Sequence, residues 1–154
     1  MRAKWLAAVA VTTAALTAAG CGGGSEGGSG QLQPGTYEYE LTKQYLIENG
    51  IEQPQAEGES GRHTTMLGDG GAFSDSWRTA EGETGACYGT YKEGDSKRVT
   101  FRWSSGCVGD WSMTYRIDGD TVTWSEIEAL PPASEEDQKI NEVFNSVPWK
   151  RVGE

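Results

Sequence analysis

The segment RVTFRWSSGCVGDWSMTYRIDGDTVTWSEI, residues 98–127, decides the fold class of this chain. Apolar and polar side chains alternate along 98–103, 111–117 and 121–127, a period of two that is typical of strands with one buried face. The expected buried set is Val99, Phe101, Trp103, Trp111, Met113, Tyr115, Ile117, Val122 and Trp124. The turn Asp118-Gly119-Asp120 predicts a tight hairpin between the last two strands. The segment therefore indicates an antiparallel sheet.

Strand patterns continue on both sides of this segment. Residues 35–41, 62–67, 72–78 and 86–92 precede it, and 149–152 lie near the end of the chain, which gives eight strands in all. Turn signals separate most of them, and no spacing fits a strand-helix-strand crossover. We predict a mainly β fold, an antiparallel up-and-down barrel of about eight strands, because eight strands can close a small barrel.

Two helices are expected beside the sheet. Thr42 can cap a short helix over 43–49 after the first strand, and the Glu-, Gln-, Gly- and Pro-rich stretch 51–61 is expected to be a loop. The sequence Ser134-Glu135-Glu136-Asp137 has the pattern of a capping box. It opens a helix over about 134–147, just before the last strand. The apolar stripe of that helix is Ile140, Val143, Phe144 and Val147.

The first 20 residues have the pattern of a secretory signal. Arg2 and Lys4 precede an apolar run, Leu6 to Ala19, and small residues precede Cys21. This run is shorter than the ~20 residues that cross a bilayer. The sequence Leu16-Thr17-Ala18-Ala19-Gly20-Cys21 resembles the lipobox of bacterial lipoproteins, which implies cleavage before Cys21 and attachment of lipid to its thiol; an ordinary secretory signal is the alternative.

The expected organisation follows from this leader. Residues 1–20 are the signal peptide, 21–33 are the lipidated cysteine and a flexible tether rich in Gly and Ser, and 34–154 are one domain. Residues 22–30 contain no apolar side chain, so they should not pack. The expected location is the cell membrane, lipid-anchored on its extracytoplasmic face.

Charge excludes one class of partner. The formal net charge is −10, and removal of the leader would take away two further positive charges. Nucleic-acid binding needs clustered Lys and Arg, which the chain lacks, so no nucleic-acid partner is expected.

The three cysteines divide between two roles. If Cys21 carries lipid, Cys87 and Cys107 remain as a pair in an oxidising compartment, where a disulfide is expected and two free thiols are the alternative. No metal site is predicted, because His63 is the sole histidine and zinc needs at least three protein ligands.

Several short motifs together resemble the small lipocalin-like, calycin-type barrels of bacterial lipoproteins. They are Pro34-Gly35-Thr36-Tyr37, Cys87-Tyr88-Gly89-Thr90-Tyr91, Gly94-Asp95, Val99-Thr100-Phe101, Asp118-Gly119-Asp120-Thr121-Val122 and Pro148-Trp149-Lys150-Arg151-Val152. The likeness covers most of residues 34–152. It implies an eight-stranded barrel and often a small apolar ligand. True lipocalins have Gly-x-Trp where this chain has Gly35-Thr36-Tyr37.

Two functions remain open for such a barrel. In the first, aromatic and Met side chains line a cavity for a small apolar ligand, which the protein binds or carries. The candidate lining is Tyr37, Tyr39, Met66, Trp77, Phe101, Trp103, Met113, Tyr115 and Trp124. In the second, these side chains form a solid core, and the outer surface binds a protein or cell-wall partner. We expect a monomer with no cofactor and no enzymatic activity, because a catalytic triad would depend entirely on His63.

Overall fold

A computed structural model of the protein describes residues 30–107 and 109–154. They form a closed barrel of eight antiparallel strands in chain order, with the last strand pairing with the first. This confirms the predicted fold class. The strands are β1 (Gly35–Leu41), β2 (Gly61–Leu67), β3 (Ala72–Arg78), β4 (Thr84–Glu93), β5 (Arg98–Ser105), β6 (Trp111–Asp118), β7 (Thr121–Ala129) and β8 (Trp149–Gly153).

Three α-helices accompany the barrel in the described residues, one more than predicted there. They are α1 (Lys43–Glu48), α2 (Gln53–Glu59) and α3 (Glu135–Asn145). The predicted capping box of α3 is confirmed, since Ser134 and Asp137 exchange their hydrogen bonds. None of the helices in the described part of the chain is long and apolar enough to cross a membrane.

Helix α2 corrects the prediction of a loop over 51–61. It has Pro54 in its first turn, where proline is tolerated, and several Gln and Glu residues, which favour helix. Its one buried apolar residue is Ala56, which lies beside Leu46 and Ile51. One small apolar residue gives no helical stripe, so periodicity could not reveal this helix.

The barrel has two different ends. Strands β2–β3, β4–β5 and β6–β7 are joined by short turns at one end, which we call the hairpin end. At the opposite end, the helix end, α1 and α2 connect β1 to β2, and α3 connects β7 to β8. The apolar residues of these helices form a second core around Leu41, Leu46 and Val143.

The N-terminal segment closes the hairpin end. Leu32 is only 3% exposed and belongs to the main core. Its backbone N–H donates to Glu93 Oε1 at 3.1 Å and to the Tyr115 hydroxyl at 3.2 Å. Among the described residues, Leu32 therefore already packs into the core, two residues before the expected domain start at Pro34. The expected leader, Cys21 and the tether as far as residue 29 lie outside the described residues.

The expected disulfide is present between Cys87 and Cys107. It ties β4 to the loop that joins β5 to β6, at the helix end of the barrel. All the strand pairings and both apolar cores lie within residues 30–154, so this part of the chain carries its own core.

Candidate functional site

A cavity of about 400 Å³ opens at the helix end of the barrel. Inward side chains of the strands form its walls, Gln55 and Glu59 of α2 border one side, and Ile140, Phe144 and other residues of α3 border another. The loop that carries Cys107 completes the rim. The disulfide, α2 and α3 therefore all border the mouth of the cavity.

Four stacked rings make one wall of the cavity. Strand register places Tyr39, His63 and Trp77 side by side on β1, β2 and β3, and Trp149 follows on β8. The centroid of His63 lies 4.7 Å from that of Tyr39 and 5.6 Å from that of Trp77, with interplanar angles of 18° and 16°. Tyr39 and Trp149 are stacked at 5.3 Å. The wall is therefore one continuous stack of rings, in which Tyr39 lies between His63 and Trp149.

A glycine allows Trp77 to lie flat on the sheet. Gly85 is its partner on β4, and a Cβ at Gly85 would lie 2.1 Å from the Trp77 ring. The indole N–H of Trp77 donates to the Gly58 carbonyl at 2.9 Å. Trp77 thus joins the barrel wall to α2, one of the borders of the cavity.

A buried polar network lies within the same wall. The two ring nitrogens of His63 contact Asp75 Oδ2 and the Glu59 carbonyl, each at 2.9 Å. Thr65 Oγ1 donates to Asp75 Oδ1 at 2.6 Å. Since a carbonyl only accepts, Nε2 of His63 must carry hydrogen. The contact between Nδ1 and Asp75 then holds a second proton, in an imidazolium–carboxylate or a neutral imidazole–carboxylic acid pair.

This network leaves His63 without a free ring nitrogen. Both nitrogens have partners within the protein, so in this arrangement His63 cannot take a proton from a bound molecule. Its role in the geometry is to hold α2 to the barrel through the carbonyl of Glu59.

The facing wall is also aromatic. Phe73 lies 4.4 Å from Trp103 and 5.9 Å from Trp111, and these two tryptophans are 5.0 Å apart. The indole nitrogens of Trp111 and Trp149 are buried and have no hydrogen-bond acceptor among the described residues. Buried donors of this kind are normally satisfied by protein, water or ligand. Both residues line the cavity, but their indole nitrogens are not exposed to it.

The charged groups of the cavity are acidic. Glu59, Asp75 and Asp137 line it, and among the described lining residues there is no Lys or Arg. Burial raises the pKa of the Glu59 carboxyl, whereas hydrogen bonds from Ser134 lower the pKa of Asp137. Burial and the Asp75 carboxylate raise the pKa of Tyr39 well above its usual range. The cavity thus combines aromatic walls with carboxyl groups.

The predicted lining residues separate into three groups. Tyr39, Trp77 and Trp103 line the cavity. A second group is buried in the main core instead: Tyr37, Phe101, Met113, Tyr115 and Trp124. Met66 differs from the expectation, since its side chain is 57% exposed on the outside of the barrel. It lies in the outward phase of β2, between the buried residues Thr65 and Leu67.

Sequence reasoning missed the polar network and the residues from α2 and α3. A signal for the network existed, because His63, Thr65 and Asp75 fall in the inward phase of their strands. Polar residues in that phase need partners when buried.

Comparisons of the chain with protein-family models, with curated proteins and with solved structures found no match. The closed eight-stranded antiparallel barrel is compatible with a lipocalin-like fold. In the described part of the chain, no group of three or more His, Cys, Asp or Glu side chains is arranged to hold a metal ion.

Proposed function

We propose that this protein is a lipid-anchored, extracytoplasmic lipocalin-like barrel that binds one small, largely apolar molecule in the cavity at its helix end. The aromatic cavity of about 400 Å³ is the observation that carries the proposal. Its size falls within the range of small-molecule sites, and such sites combine apolar walls with a few polar groups.

The cavity favours this proposal over the solid-barrel alternative, in which only the outer surface would bind a partner. Both ring nitrogens of His63 are hydrogen-bonded within the protein. This favours a protein that binds its ligand over one that catalyses a reaction of it. We therefore propose a binding or carrier role without catalysis.

The binding proposal is tested with residues 22–154 and the neutral fluorescent probe 1-aminoanthracene. We expect saturable, one-to-one binding with quenching of tryptophan emission. Asn141 lines the cavity and Glu136 is exposed on the same helix outside the lining. Asn141→Phe should weaken binding by at least about tenfold because it fills the cavity, and Glu136→Phe should not. Absence of saturable binding, or equal effects of the two variants, would contradict the proposal.

The anchor is tested separately in the full-length chain. Cys21→Ala should move the protein out of the membrane fraction of an expressing bacterium, whereas Cys87→Ala should not. Retention of the Cys21→Ala protein in membranes would contradict lipid anchoring and leave the binding proposal intact.

A further inference from the structure

We propose that the ligand of this cavity is a small, neutral aromatic molecule that carries an N–H or O–H donor, as phenols and indoles do. This inference rests on the proposed binding function and narrows its ligand class. Three features of the lining support it: an unfilled acceptor, exposed ring edges and the lack of a free cation.

Asn145 supplies the unfilled acceptor. It lies in α3, lines the cavity and is only 6% exposed. Its amide nitrogen donates to the Asn141 carbonyl at 2.9 Å, which fixes the orientation of the amide because a carbonyl only accepts. The side-chain oxygen has no donor among the described residues and, unlike the indole nitrogens of Trp111 and Trp149, it is not sealed from the space around it. This oxygen is therefore open to a ligand in the cavity.

A donor on the ligand would satisfy this oxygen. Asn141 has the same arrangement one turn earlier, since its amide nitrogen donates to the Asp137 carbonyl at 2.8 Å and its oxygen has no donor among the described residues. A ligand that displaces water from these oxygens without bringing an N–H or O–H group would leave them unpaired. An unpaired buried acceptor costs the free energy of its lost hydration, so a ligand with a donor is favoured.

The stacked wall presents ring edges to the cavity. Tyr39 lies between His63 and Trp149, and His63 lies between Tyr39 and Trp77, so neighbouring rings cover the faces of Tyr39 and His63. Ring edges carry partial positive charge and attract the face of another ring in an edge-to-face contact. A flat aromatic ligand gains this attraction, whereas a saturated molecule of the same size gains only burial and a cation would meet positive edges.

Charge in the lining opposes an anionic ligand. The described lining residues include no Lys or Arg, and His63 is already engaged with Asp75. Glu59 adds a further carboxyl group. A carboxylate on the ligand would lose water and gain no positive partner, which is costly. A fatty acid or another organic acid is therefore disfavoured, and a neutral molecule is favoured.

Four probes of similar size separate ring, donor and charge. 2-Naphthol is aromatic with a hydroxyl group, 2-methylnaphthalene has a methyl group in its place, decahydro-2-naphthol is saturated, and 2-naphthoate is an anion. Binding to residues 22–154 is followed by the NMR shifts of the indole N–H groups. We expect 2-naphthol to bind about fivefold more tightly than decahydro-2-naphthol, from one or two edge-to-face contacts. It should bind at least about tenfold more tightly than 2-naphthoate.

A matched pair of variants tests the acceptor. Asn145→Leu removes the oxygen from the lining and keeps a side chain of similar size. Asn49→Leu makes the same change at the end of α1, outside the lining, where the amide nitrogen also donates to the carbonyl four residues earlier. We expect Asn145→Leu to weaken 2-naphthol about fivefold more than it weakens 2-methylnaphthalene, because only 2-naphthol loses a hydrogen bond. Asn49→Leu should leave both affinities unchanged.

The outcomes distinguish this inference from the proposed function. Comparison of two probes in one variant removes any general effect of that variant on folding or packing. If 1-aminoanthracene binds but 2-naphthol binds no more tightly than decahydro-2-naphthol or 2-naphthoate, the inference on ligand class is overturned and the cavity remains a binding site. Equal weakening of 2-naphthol and 2-methylnaphthalene by Asn145→Leu would also overturn it. If neither 1-aminoanthracene nor any of the four probes binds, both proposals fail.

Discussion

Replacement of Asp75 tests the buried network in the cavity wall. Two substitutions separate hydrogen bonding from charge. Asp75→Ala removes both acceptors, whereas Asp75→Asn removes only the charge. In the second variant the new amide can accept from Thr65 and donate to Nδ1 of a neutral His63, whose Nε2 still donates to the Glu59 carbonyl.

The expected cost of each change follows from the contacts. Asp75→Ala breaks bonds of 2.9 Å to His63 and 2.6 Å to Thr65, and the His63 side chain is only 3% exposed. Removal of one partner of a buried pair costs about 3–5 kcal/mol, and we take the lower value because Asp75 keeps some contact with the open cavity. About 3 kcal/mol corresponds to a fall in melting temperature of about 10 °C for a domain of this size. Asp75→Asn keeps the donors of Thr65 and His63 paired and should cost less than about 1 kcal/mol.

Urea unfolding of residues 22–154 measures these costs, with Asp69→Asn in an exposed turn as the control for loss of one charge. Nitrogen NMR of His63 adds a direct readout: in Asp75→Asn, Nδ1 should carry no hydrogen and Nε2 should carry one. A cost for Asp75→Asn equal to that of Asp75→Ala would refute the reasoning, since charge and not hydrogen bonding would then hold the network. Unchanged stability in Asp75→Ala would also refute it, since the network would then contribute nothing to the free energy of unfolding.

Two further predictions concern the frame of the cavity. Gly85→Ala should displace the Trp77 ring and cost about 2 kcal/mol, because packing and the hydrogen bond to Gly58 are lost. Gly58 has open space around it, so Gly58→Ala should stabilise α2 by up to about 1 kcal/mol. Thermal unfolding of both variants measures these effects, and destabilisation by both changes would contradict the prediction. Replacement of both Cys87 and Cys107 by Ala removes a disulfide that joins residues 20 positions apart. Urea unfolding should show a loss of about 3 kcal/mol in the free energy of unfolding. No loss of stability would show that the disulfide does not stabilise the rim.

Alternation along the chain determined which way most side chains face. The bounds of β1 and β3 agree with the prediction residue for residue, and the aromatic residues of 98–127 lie inside the barrel as expected. Alternation does not determine height along the barrel axis, which depends on strand tilt and stagger. Tyr37 and Tyr39 therefore share a face in the sequence, but only Tyr39 reaches the cavity. Met66 was wrongly assigned to the lining for a different reason. The assignment used its apolar residue type, although its position in β2 has the outward phase.

The borders of the cavity were harder to predict from sequence than its walls. Glu59 is held in place by α2, which has one buried apolar residue and so no periodic pattern. Asn141 and Phe144 come from α3, whose existence was predicted but whose position over the barrel mouth was not. Such positions depend on contacts between elements distant in the chain, which single-sequence periodicity does not report.

The most direct test of the binding cavity uses the indole N–H resonances of residues 22–154. This part of the chain has five tryptophans: Trp77, Trp103, Trp111, Trp124 and Trp149. All except Trp124 line the cavity. Titration with 1-aminoanthracene should shift the four lining resonances along a single saturation curve, with Trp124 moving least. Absence of shifts, or shifts of the lining indoles that do not share one dissociation constant, would contradict a single binding site at the helix end of the barrel.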